Sequence, residues 1–188
     1  MATIAVLAIV TLTLGTFIIG YNFRAPIMII EQKNPITGYV EYWVKRAGTD
    51  TWVLIDASSN LVVTQGLTRI RDKLGWDNST TGVTSAISLS NDASSPAASW
   101  TVIPNELTGA SAYGLYRQAG TVTRINSTAY QSAFTFTANG TVTARLSGLN
   151  WSTTQGASTL FAANTFTATT LYSADQLTIT WTINCASG

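Results

Sequence analysis

The chain has 188 residues, ten basic and nine acidic for a net charge of +1, with no histidine and a single cysteine, Cys185. A near-neutral chain without a basic cluster does not suit nucleic acid, whose phosphates call for concentrated positive charge. The absence of histidine removes the commonest general base and metal ligand, and one cysteine excludes an intrachain disulfide.

Residues 2–23, ATIAVLAIVTLTLGTFIIGYNF, carry no charged side chain, and Arg24 is the first. A helix rises about 1.5 Å per residue, so some twenty residues cross a roughly 30 Å hydrocarbon layer. Tyr21, Phe23 and then Arg24 give the aromatic-then-cationic order of a helix leaving a bilayer. Pro26 disfavours helix at Ala25 and closes the element. A cleaved signal peptide would carry a positive n-region, and here that region is only Met-Ala-Thr. The expectation is a hydrophobic transmembrane or assembly-core helix over 1–25, a connecting segment over 26–37 and a β-sandwich domain over 38–188. The partner of residues 2–23 is then a membrane or a hydrophobic helical bundle.

Ile27, Met28, Ile29 and Ile30 form a short apolar, β-prone run, bounded by Pro26 and by Asn34-Pro35. Residues 38–46, GYVEYWVKR, alternate: Tyr39, Glu41, Trp43 and Lys45 on one face, Val40, Tyr42 and Val44 on the other. That is a strand, and Gly48-Thr49-Asp50 turns it into a second strand over 51–55. Asn60 opens the one amphipathic helix candidate, NLVVTQGLTRIRDKLGW, whose apolar positions are Val63, Leu67, Ile70 and Leu74. Arg69, Arg71, Asp72 and Lys73 read as its solvated face, Gly66 as a point of tight approach to a strand, and Gly75 as its stop.

Beyond Gly75 no helical period recurs. Strand-like runs fall at 83–89, 113–117, 121–125, 133–137, 141–146, 159–162 and 165–171. The clearest comes last, with Leu177, Ile179, Trp181, Ile183 and Cys185 on one face and Thr178, Thr180, Thr182 and Asn184 opposite. Trp181 is large enough to anchor a core. Asn139-Gly140 between two runs predicts a type I′ hairpin. Cys185, on the inward row, is expected as a small buried hydrophobe, an intermolecular disulfide being the other option. So many short strands predict a mainly β fold, a jelly-roll or Ig-like β-sandwich with one packed α-helix.

Chemistry-bearing motifs are scarce. Asp77-Asn78 and Asn91-Asp92 lack the alternating spacing of a calcium loop and read as turns. Gly-x-Ser-x-Gly, phosphate loops and Cys-x-x-Cys are absent from the sequence. Neither an enzymatic activity nor a cofactor or metal is expected. Four Asn-x-Ser/Thr sequons, at Asn78, Asn126, Asn139 and Asn150, are candidate glycosylation sites. Thr-, Ser- and Ala-rich strands with few Lys or Glu lack the usual charged guards on sheet edges. Residues 27–30 are therefore the candidate strand for exchange between copies.

Three segments resemble a known family. They are NLVVTQGLTRIRDKLGW, AISLSNDASSPAASWTVIPNEL and TLFAANTFTATTLYSADQLTITWTI. Together they are similar to a β-domain of virion structural, typically tail-associated, proteins of tailed phages and archaeal viruses. The matching positions are Asn60, Gly66, Leu67, Ile70, Arg71 and Asp72, then Asp175, Leu177, Ile179, Thr180, Trp181 and Ile183, within roughly 38–184. The resemblance implies a structural role in a virion. The apolar N-terminal stretch is additional to that family and directs the expectation to an enveloped virion or a surface filament. The alternative is a pilin-like subunit of an extracellular, archaeal-type filament on the cell surface. In both, the chain contacts copies of itself and no nucleic acid.

Overall fold

The structure is a computed structural model, and it describes residues 36–75 and 83–185, with the side chains of 73–75 excepted. The expected helix over residues 2–23, the run 27–30, the Leu74 side chain and Asn78 lie outside the described residues. In chain order the elements are β1 (Ile36–Lys45), β2 (Trp52–Ser59), β3 (Leu61–Val62), α1 (Thr64–Gly75) and β4 (Ala86–Ser90). A 3-10 turn (Gly109–Ala112) follows, then β5 (Gln118–Ala119), β6 (Thr121–Arg124), β7 (Ala129–Thr137), β8 (Val142–Asn150), β9 (Leu160–Leu171) and β10 (Gln176–Cys185). The described residues are mainly β, with two antiparallel sheets and one α-helix.

The first sheet has the order β2-β1-β10-β7-β6 and the second β3-β9-β8-β4-β5. β8 and β9 pair in one sheet while β7 and β10 pair in the other, so these four strands form one long hairpin folded across both layers. The core lies between the sheets. Val40, Tyr42 and Val44 of β1 and the odd-numbered row of β10 from Leu177 to Ile183 meet Leu149, Phe161, Phe166 and Ile87 from the other layer. Trp181 is fully buried there. Tyr42 stacks on Phe166 at 4.1 Å, and its hydroxyl shares a 2.7 Å hydrogen bond with Ser147. Burial, the largest influence, raises the Tyr42 pKa well above its usual value despite hydrogen bonds to Ser147 and Asn164, so the phenol stays protonated.

The second sheet has another layer on its far side. Leu146, Leu160 and Ala163 pack against Val63, Ile103 and the partly buried Trp100. Most of this cover comes from the long link between β4 and β5, not from the helix. α1 starts at Thr64, after Leu61 and Val62 pair with Ala163 and Ala162 of β9. Strand pairing thus takes the first residues that the sequence offers to the helix. A Cβ on Gly66 would collide with the carbonyl oxygen of Phe161, so the close approach expected at this glycine is present. Ile70 packs against the core, whereas Leu67, expected on the same face, is exposed.

Several sequence expectations are corrected. Asn139-Gly140 is not a hairpin, because β7 and β8 belong to different sheets and the link crosses between layers. Neither residue has a positive φ, and Gly140 instead leaves room for the ring of Tyr113. Residues 113–117 form no strand; Tyr113 takes a left-handed conformation after the 3-10 turn. The runs 159–162 and 165–171 are one strand, β9. Cys185 is exposed, because the alternation of β10 reaches the end of the strand beyond the core. β1 begins at Ile36, inside the expected connecting segment.

Candidate functional surface

Among the described residues, the two ion pairs with a buried carboxylate act as structural clamps. Arg117 meets Glu106 in a bidentate pair, Nε to Oε1 at 2.8 Å and Nη2 to Oε2 at 2.7 Å. Arg117 Nη1 also donates to Ser152 O and Thr159 Oγ1, while Glu106 Oε2 accepts the Gly156 N–H. The pair ties the β4–β5 link to the β8–β9 link, and both side chains are almost fully buried. Asp175 does similar work at the opposite kind of junction. It accepts the N–H groups of Ala47 and Tyr172 and pairs with Arg46 at 2.7 Å. Burial pushes its pKa up, but these backbone donors and Arg46 outweigh that and leave it below the usual carboxylate value.

Among the described residues no group of three or more His, Cys, Asp or Glu side chains is placed to hold a metal ion. No described helix is long and apolar enough to cross a membrane. The sequons separate by exposure. Asn126 and Asn139 are exposed. Asn150 is fully buried, and its amide nitrogen donates to Ser88 Oγ at 2.9 Å and Gly148 O at 3.2 Å. A sugar on that nitrogen has no room in this fold, so Asn150 is corrected from candidate acceptor to core hydrogen-bonding residue.

What remains is a surface. The sheets have four terminal strands, and they differ in length and guarding. β3 and β5 have two residues each, and β6 has four and carries Arg124. β2 has eight residues, and Trp52, Val53 and Leu54 are 38%, 55% and 44% exposed. Its one charged residue, Asp56, faces across to β9, where its carboxylate accepts the Thr167 N–H at 2.7 Å. A bulge between Tyr42 and Trp43 in the pairing with β1 shifts the register beside Ile55. Below the edge lies a cavity of about 300 Å³ lined by Val44, Arg46, Thr49, Thr51, Val53 and Ile55. On the other face Lys45 Nζ sits 5.6 Å from the Trp52 ring centre.

Sequence reasoning found the strand at 51–55 but not its exposure. Four consecutive large apolar residues after a turn, Trp52 to Ile55, were the available signal; that β2 ends the sheet depends on distant pairing. Comparison with protein-family models, with curated proteins and with solved structures gives no match to this chain.

Proposed function

We propose that this chain is a non-enzymatic structural subunit of a virion, held by its apolar N-terminal stretch and displaying the β domain outward. In this reading residues 2–23 form a helix in a membrane or a hydrophobic bundle. The two facing sheets then form a β-sandwich of the jelly-roll or Ig-like kind, and the folded hairpin of β7 to β10 supports the former. The observation that carries the proposal is a juxtaposition. A chargeless run too apolar for water precedes a domain whose Arg117–Glu106 and Arg46–Asp175 pairs are spent on clamps and whose longest sheet edge is apolar at Trp52, Val53 and Leu54. Such edges favour association with another chain. The resemblance of residues 38–184 to virion β-domains directs the choice toward a virion; a pilin-like surface filament shares the same physical plan.

The test is to compare the full chain with a form lacking residues 1–23, both with sedimentation and electron microscopy. The full chain should form particles or filaments, and their geometry separates virion from filament. The shortened chain should be soluble, folded and unassembled. Normal assembly without residues 1–23 would overturn the anchoring role.

A further inference from the structure

We infer that the free edge of β2 receives residues 27–30 of a second copy as an added antiparallel strand; this inference rests on the self-assembly reading above. The acceptor follows from comparing edges. An exposed strand offers a row of unpaired backbone groups, and proteins guard such rows with short length, charge or cover. β3 and β5 are short and β6 carries Arg124, while β2 is long and apolar at Trp52, Val53 and Leu54. The bulge beside Ile55 leaves residues 52–54 as the unbroken part of the edge, close to the length of the four-residue apolar run.

Reach decides between the chain's own run and a neighbour's. Val53 pairs with Val44, which lies eight residues beyond Ile36 along β1. At about 3.4 Å per residue that is roughly 27 Å, and the slot outside β2 lies about two strand spacings, or 10 Å, to the side. Ile30 precedes Ile36 by six residues, so its tether spans at most about 22 Å. The chain's own Ile30 falls short of its own edge at Val53. A second copy has no such limit.

Direction follows from charge. Run antiparallel to β2, the strand places Glu31 toward the Lys45 and Arg46 end; run parallel, it places Glu31 beside Asp56. Opposed residues in an antiparallel pair share a face. With Ile29 opposite Val53, Ile27 and Ile29 enter the cavity under Val44, Val53 and Ile55. Met28 and Ile30 then lie against Leu54 and Trp52 on the outer face. Main-chain hydrogen bonds supply affinity and the alternate side chains supply register, as in strand addition generally.

The test uses full-length chains in a Cys185→Ser background. A mixture of Ile29→Cys and Val53→Cys chains should give a disulfide-linked dimer on mild oxidation. Its yield should exceed that of Ile29→Cys mixed with Val122→Cys, on the β6 edge, by about tenfold, one decade of affinity. Leu54→Lys should lower the assembled fraction with unchanged thermal unfolding of the β domain. Normal assembly by Leu54→Lys, together with a cross-link at Val122→Cys or at neither edge, overturns the β2 assignment and leaves self-assembly standing. A bond within one chain carrying both cysteines, without dimer, overturns the exchange. A wild-type chain that stays monomeric overturns both readings.

Discussion

In the first sheet β1 and β10 bury every second residue and leave the alternate ones at or near the surface. In the second sheet β4 is buried along its whole length, and β8 from Leu146 to Asn150. The first sheet turns a threonine-rich outer face to water. The second has a layer on each side, one shared with the first sheet and one made with Ile103, Trp100 and Val63. A sheet covered twice needs residues that pack closely and polar groups that are satisfied locally. Ser88, Ser90, Ser147 and Asn150 are all fully buried there; the three hydroxyls and the Asn150 amide nitrogen have partners, while Asn150 Oδ1 has none. Ser90 Oγ donates to Pro104 O at 2.5 Å, pinning the covering link. The Arg117–Glu106 clamp has the same role: irregular chain can cover a sheet only if its own polar groups find partners.

The largest effect expected from breaking either region lies between the sheets. Trp181→Ala removes a fully buried indole and should lower stability by about 3–5 kcal/mol in chemical denaturation. Trp181 Nε1 has no hydrogen-bond partner. Trp181→Phe therefore removes an unpaired donor as well as volume, and should cost clearly less than Trp181→Ala. A loss for Trp181→Ala below about 1 kcal/mol would show that the tryptophan is not a core anchor.

Next comes the outer cover of the second sheet. Leu160 is fully buried in the cluster with Ile103 and Val63. If that layer is a true core, Leu160→Ala should cost about 2–5 kcal/mol, the range for a buried leucine. The same measurement checks it, and a cost near that of a surface substitution would mean that the β4–β5 link lies loosely on the sheet.

This contrast also explains which parts of the fold were legible. β1 and β10 announce themselves because one face is wet, and a period of two follows. The alternation put Val40, Tyr42 and Val44 together on one face of β1 and Ile179 and Trp181 on the inward row of β10, and all five are buried. β8 from Leu146 to Asn150 and β9 from Leu160 to Asn164 carry no such period, since both faces are covered there, so the sequence broke β9 in two and ended β8 at 146. Register shifts between Ala144 and Leu146 and between Leu149 and Asn150 disturb the pattern further. Asn139-Gly140 misled because its local turn preference is indifferent to which sheet the next strand joins. The candidate surface was half legible: the apolar residues of β2 are plain, but their standing at an edge follows from β10 pairing with β1 on the other side. Nothing local marks Glu106 and Arg117 as partners.

A smaller and pH-dependent effect belongs to Asp175, where the β9–β10 link meets the β1–β2 turn. Its folded pKa lies below the unfolded value, so folding favours the carboxylate. The contribution is complete above the unfolded value of about 4 and is lost as pH falls through the lower folded value. Asp175→Asn should reduce stability at neutral pH and flatten the acid limb of the stability profile. Denaturation series from neutral to acid pH would read both, and an unchanged acid limb would assign that limb to other carboxylates.

The smallest effect should come from the outer face of the first sheet, which makes it the control for Leu160. Thr178 and Thr135 share a 2.7 Å hydroxyl hydrogen bond on that exposed face, with Thr178 on β10 directly beside Trp43 of β1. Thr178→Val keeps the β-branched shape that suits a strand and removes only the hydroxyl. Water can take the place of the lost partner, so the cost should stay within about 0.5 kcal/mol of zero. The isolated domain therefore has no strong need for Thr178, whereas its outward-facing counterpart Leu160 is held under a second layer. Measured together by urea denaturation, the two substitutions separate a wet face from a covered one. A loss at Thr178 as large as at Leu160 would show that the first sheet is covered too, and that its threonine face packs against something within the folded chain.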